Sequence, residues 1–225
     1  MNGKHETRWT SNAGIRIATL AVVLAIASPG LRPNALAAED CRSAVEAAFL
    51  KQRQQKAFRF AAEMPGEGGV TRMTIDYVLP DRMHQKVEAP GQPAPVETIA
   101  IARWAWGTQG GGWEELQPQF AQSITAHVHD ALVAPPKLTG GFACLGKSNR
   151  DGAEVLGYRS LPEAGAEAAP AGQPELARTI YVDAASGLPV ANVVAAIKDG
   201  TPPVFDGRYS YSGDIKVEAP IGEPK

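Results

Sequence analysis

Along residues 72–79 the apolar side chains fall on every second position. Met73, Ile75, Tyr77 and Leu79 share one side, with Arg72, Thr74 and Asp76 on the other. A period of two belongs to a half-buried strand and not to a helix. Pro80-Asp81 then turns the chain, and residues 82–88 return with the same alternation, making a hairpin with one apolar face. Residues 63–69 (Glu-Met-Pro-Gly-Glu-Gly-Gly) read as an earlier turn, which places a strand at 56–62.

The same punctuation continues. There are 23 glycines and 18 prolines in 225 residues, more than the roughly 12% of an average protein, which favours short strands and turns over long helices. A Pro-rich loop at 89–95 leads into a strand expected over 96–106, and Gly107-Thr108-Gln109-Gly110-Gly111-Gly112 turns the chain toward Trp113. Trp104, Trp106 and Trp113 flank this one hairpin, and Trp104 and Trp106 share a face. They read either as core support for a glycine-rich turn or as the wall of an apolar cavity. Further strands are expected near 141–147, 153–161, 176–183, 188–198 and 204–218. In the last of these Tyr209, Tyr211, Ile215 and Val217 should face one way. Residues 162–174 are low in complexity and read as a flexible loop within one domain.

Two segments follow the helical period. Asp40 can cap a helix over 41–50 in which Cys41, Val45, Ala48 and Phe49 share a face. Pro118 opens a second helix, with Phe120, Ile124, Val128 and Ala131 as its apolar stripe, and Pro135-Pro136 ends it. The expectation is therefore an α+β domain: nine or ten antiparallel strands in a strongly curved sheet packed on two helices.

The first residues belong to another class of segment. Lys4, Arg8 and Arg16 precede the apolar run 17–27, Ser28-Pro29-Gly30 breaks it, and Ala35-Leu36-Ala37 supplies the small residues of a cleavage site. These parts make a secretory signal over 1–37, since eleven apolar residues fall well short of the ~20 that span a bilayer core. The remaining domain, 38–225, is expected to be soluble and periplasmic, because Cys41 follows Glu39-Asp40 rather than the small residue a lipid anchor needs. Loss of Lys4, Arg8, Arg16, Arg32 and Glu6 moves the formal charge from −2 to −5. A nucleic acid is thus excluded as a partner on charge. Cys41 and Cys144 form an even pair in an exported chain and read as one disulfide joining the first helix to the sheet.

No nucleophile elbow, phosphate loop, dinucleotide fingerprint or zinc-binding helix occurs, and no cofactor or metal is expected. His127 and His129 would lie about 160° apart on their helix, too far to chelate one ion. His127 is expected at the centre of the apolar stripe, as a buried histidine or a ligand contact, and His84 on a solvated face. Glu114 and Glu115 would point to opposite sides of a strand, so no acid/base pair is evident and the chain does not read as an enzyme.

Read in order, the pieces resemble a known superfamily. They are Tyr77-Val78-Leu79-Pro80-Asp81-Arg82-Met83, then Gly110-Gly111-Gly112-Trp113-Glu114-Glu115-Leu116, an inserted helix, and 151–158. The hairpin 182–190 and Asp214-Ile215-Lys216-Val217-Glu218-Ala219-Pro220 complete the set. This pattern is similar to the LolA/LolB and LppX/LprG-like superfamily of periplasmic lipoprotein and lipid carriers. The resemblance implies an unclosed half-barrel whose concave face is covered by helices, holding an acyl chain in a cavity without covalent chemistry. Met73, Ile75, Tyr77, Trp104, Trp106, Trp113, Phe120, Ile124 and His127 are the candidate cavity residues. The expected partners are a lipid or lipoprotein acyl chain, with envelope proteins as an alternative. Transient membrane contact is compatible with this reading, and a monomer is expected.

Overall fold

A computed structural model describes residues 33–162, 172–198 and 200–221, with side chains from Cys41 onward. Most of the proposed signal, and residues 163–171 of the proposed flexible loop, lie outside the described residues. In chain order the elements are α1 (Pro33–Gln52), β1 (Ala57–Gly66), β2 (Gly69–Val78), β3 (Arg82–Glu88), β4 (Val96–Ile101), β5 (Trp104–Gln109) and β6 (Glu114–Glu115). They continue with α2 (Pro118–Leu132), β7 (Phe142–Arg150), β8 (Ala153–Ser160), β9 (Leu176–Asp183), β10 (Pro189–Ala196) and β11 (Phe205–Ser210). The sheet has eleven strands in the order β6-β5-β4-β3-β2-β1-β11-β10-β9-β8-β7. Every pairing is antiparallel. The two ends of the order are not joined, so this is the expected α+β half-barrel.

Four expectations are corrected in detail. The segment 96–106 is two strands, because Ala102 takes a positive φ of 52° and turns the chain before Trp104. That turn raises the count to eleven. The β1–β2 turn is tighter than 63–69, with Gly66 paired to Gly69. Helix α1 begins at Pro33 rather than after Asp40, so the expected cleavage point lies within it; proline suits a first helical turn. Strand β11 ends at Ser210, where Ser212-Gly213-Asp214 breaks the ladder and the Asp214 amide donates to Ser212 Oγ at 3.2 Å.

Strand register fixes which side chains share a face. The concave face carries both helices. Phe58, Phe60, Ala62, Ile75, Tyr77, Met83, Ala100 and Ala105 pack there with Ala121, Val128 and Leu132 of α2. Phe142, Tyr158, Ile180 and Val182 pack there with Cys41, Val45 and Ala48 of α1. The expected face of α1 is thus the buried one. The Cys41–Cys144 disulfide joins α1 to β7 with a Cα–Cα distance of 5.5 Å. On the convex face Ile99, Ile101 and Trp106 are covered by Val217 and Ala219 of the C-terminal tail. Tyr209 and Tyr211 join the concave core while Val217 does not, so the tail changes faces instead of continuing a strand. Arg82 fastens it, donating from Nη1 to the Val217 carbonyl at 2.9 Å.

Candidate functional site

The helices cover the concave face unevenly. Helix α2 packs on β4 and β5, and α1 on β7 through β10. Their C-terminal ends meet at Arg53, whose guanidinium donates to the carbonyls of Ala134 (2.9 Å), Phe49 (3.1 Å) and Asp130 (3.2 Å). Burial lowers the Arg53 pKa, and the carbonyl dipoles at two helix ends offset that cost. Close by, Gln52 donates to the Tyr211 hydroxyl at 3.0 Å, which donates to the Pro189 carbonyl at 2.6 Å. Aromatic rings fill this end. Phe58 lies 4.9 Å from Tyr77 and Phe60 lies 4.8 Å from Tyr209, between ring centroids. Burial pushes the hydroxyls of Tyr77 and Tyr209 up to about 12. This end of the half-pipe is packed solid.

The opposite strand ends are open. Val96 of β4 pairs with Val87 of β3, Val87 with Met73 of β2, and Met73 with Ala62 of β1. Ala62 faces Gly207 of β11, and Phe205 faces Val194 of β10. All lie on the concave face, and Met64 joins them one rung further out. Val96 is 42% exposed, while Val87, Met73, Met64, Phe205 and Val194 are half-buried. Gly207 marks the boundary between packed and open regions: the Phe60 ring lies across it, so that a β-carbon there would sit 2.5 Å from Phe60 Cζ.

The candidate residues do not converge on one cavity. Met73, Ile75 and Tyr77 line the concave face, and Ile124 packs against the same core. Trp104, Trp106 and Trp113 cluster on the convex side, where Trp106 is fully buried and its indole Nε1 has no partner. Helix α2 turns Ile124, Val128 and Ala131 of the expected stripe to the core, but not Phe120. Ala121, Val128 and Leu132 are its buried residues, which leaves Phe120 58% exposed and His127 exposed. The volume at the sheet surface accounts for this: β4 and β5 present Ala100 and Ala105, and small Ala121 seats closely where Phe120 would not. His84 lies on the outer face as expected and is half-buried there. It lies 2.7 Å from Glu97 and edge-on to Trp113 on the convex face. A separate cleft of about 260 Å³ opens where α2 meets the Trp104 and Leu116 side chains. Sequence reasoning missed Val87, Val96, Val194 and Phe205. Their alternation was visible, but not which strand ends the helices would leave bare.

The eleven-stranded half-pipe with two helices on its concave face matches the lipoprotein LppX of Mycobacterium tuberculosis with a TM-score of 0.52 at 12% identity. The match covers 80% of this chain and 99% of that one. The protein has a LolA/LppX-like fold. LprF from Mycobacterium bovis matches at a TM-score of 0.48 and 10% identity, over 82% of this chain and 98% of that chain. A MucA/MucB complex from Pseudomonas aeruginosa matches at 0.42 and 12% identity, over 76% of this chain and 55% of that chain. No family description matches the sequence, and no curated protein does. The LolA/LppX-like likeness therefore rests on the fold. Among the described residues no three His, Cys, Asp or Glu side chains stand together as a metal site, and no helix is long and apolar enough to cross a membrane.

Proposed function

We propose that the protein is a soluble periplasmic carrier that holds a lipid or lipoprotein acyl chain on its concave face, with no covalent chemistry. The observation that carries this reading is the apolar row Val96, Val87, Met73, Met64, Phe205 and Val194, exposed or half-buried along the concave face. The row crosses six strands, on the order of 24 Å at the usual strand spacing, longer than the ~15 Å of one bilayer leaflet. Each methylene buried there contributes ~0.8 kcal/mol, so an acyl chain needs no polar anchor. The 41–144 disulfide suits an oxidising compartment. Leu161, Leu176, Ile197 and Val204 are exposed at the same ends of β8 to β11, an apolar rim suited to transient contact with a membrane.

Native mass spectrometry of the full chain purified from its own host tests the proposal. The expected result is a co-purified lipid that is absent from the Met73→Asp variant. A lipid-free protein that accepts no added lipid would overturn it. A stoichiometric envelope protein in place of lipid would favour an assembly role.

A further inference from the structure

Outside β6, β7 and β8, where Lys147 and Glu154 pair at 2.8 Å on the concave side, the charges of the sheet are sorted by face. On the convex side they pair across strands: Arg59 with Asp76 at 2.6 Å, Arg72 with Glu63 at 3.0 Å, Arg150 with Asp206 at 2.9 Å and Arg208 with Asp151 at 2.7 Å. On the concave side, the register of β1 to β5 and β9 to β11 places a single charged side chain, Arg178. It stands on β9 opposite Val194, one rung from Leu176, at the end of the apolar row. Its guanidinium makes no ion pair among the described residues, and its backbone amide donates to Ser160 Oγ at 3.1 Å. Beside it on β10, the Asn192 side-chain oxygen is buried without a hydrogen-bond partner among the described residues. Burial raises the Tyr209 hydroxyl, and the Asn192 side chain bonded to it and the Arg178 charge both act the other way. An arginine without an ion pair among the described residues, at the end of the apolar row and with a buried acceptor on the neighbouring strand, is arranged as a head-group site at the end of a tail groove.

We propose that the ligand is an anionic amphiphile. Its carboxylate or phosphate pairs with Arg178, a hydroxyl or N–H of its head group donates to Asn192 Oδ1, and its tail runs from Phe205 toward Val96. This inference rests on the carrier reading and adds the chemical class of the cargo. A guanidinium forks onto either anion, and such charge-assisted bonds are about twice as strong as neutral ones.

The test measures binding of three single-chain probes of equal length to the full chain, each below its micelle concentration: hexadecanoate, hexadecyl phosphate and 1-hexadecanol. Both anions should bind at least about tenfold more tightly than the alcohol. Arg178→Gln should erase that preference without changing alcohol binding, and Arg178→Lys should restore part of it. A preference for one anion over the other identifies the head group as carboxylate or phosphate. Equal binding of all three probes, or an Arg178→Gln effect common to all three, overturns this inference and leaves the carrier reading standing. Failure of every probe to bind the wild type overturns both.

Discussion

Gly207→Ala should destabilise the protein, against the usual benefit of replacing glycine within a strand. The added β-carbon would sit 2.5 Å from Phe60 Cζ, 2.6 Å from Cε2 and 3.0 Å from Phe205 Cε1. Carbon atoms in contact normally lie ~3.5–4.0 Å apart, so the Phe60 ring has to withdraw by about 1 Å. It has little room, with Tyr209 at 4.8 Å and Phe205 at 6.1 Å between centroids. Overpacking of this kind costs about 1–3 kcal/mol, against a gain of about 0.4–1 kcal/mol from a less flexible unfolded chain. The net loss is about 1–2 kcal/mol, or a Tm lower by about 2–8 °C for a domain of this size. Urea denaturation followed by tryptophan fluorescence measures the loss, and thermal melting followed by circular dichroism measures the shift. The same substitution in a Phe60→Leu background should cost much less, because the two positions are coupled through one contact. A Gly207→Ala protein as stable as the wild type, or an equal cost in both backgrounds, would refute the packing argument.

Removing the disulfide with Cys41→Ser and Cys144→Ser opens a loop of 103 residues and should cost about 4–5 kcal/mol on loop-closure entropy; an unchanged urea midpoint would count against it. Tyr77 binds its proton more tightly folded, near 12 against 10, so stability present below pH 10 should be lost as the pH rises toward 12. The loss is up to about 3 kcal/mol, and Tyr77→Phe should flatten that part of the pH profile in urea denaturation. Arg53→Met removes three hydrogen bonds to helix-end carbonyls, a loss of about 2 kcal/mol. Hydrogen exchange should quicken in the last turn of α2, and Arg53→Lys should not restore protection, because an ammonium lacks the planar fork.

The alternation in 82–88 announced β3 to the residue, and that in 72–79 announced all of β2 but its first three residues, because a hairpin is set by local pattern and turn chemistry. The face of α1 was equally legible, since Cys41, Val45 and Ala48 are the apolar residues of one stripe. Other features depend on what lies opposite. The tryptophans read as candidates for the concave cavity, yet each odd-numbered apolar position of β4 and each even-numbered tryptophan of β5 face the convex side, a choice made by register across five strands. The stripe of α2 was legible at Ile124, Val128 and Ala131 but not at its first turn, because Phe120 outranks Ala121 in hydrophobicity, whereas the alanine-lined floor of β4 and β5 selects for size. In 204–218 the alternation continues past Ser210, but the chain has already left the sheet, and Val217 finds its apolar partners on the other face. The open row went unseen for the same reason: exposure at strand ends is decided by where the helices stop.

The order of strands carries a consequence for how the protein comes into being. Residues 57–115 and 142–210 are two meanders, each built from neighbours in sequence, and they touch in the sheet only where β1 meets β11. Strand β11 therefore sits in the middle although it follows all the others in sequence. A nascent chain can assemble β1 to β6 early, but it holds a bare β1 edge until β11 has been made and closes the seam. Loss of β11 would split one sheet into two half-sheets, each with a new sticky edge. Strand β11 acts as the keystone of the arch.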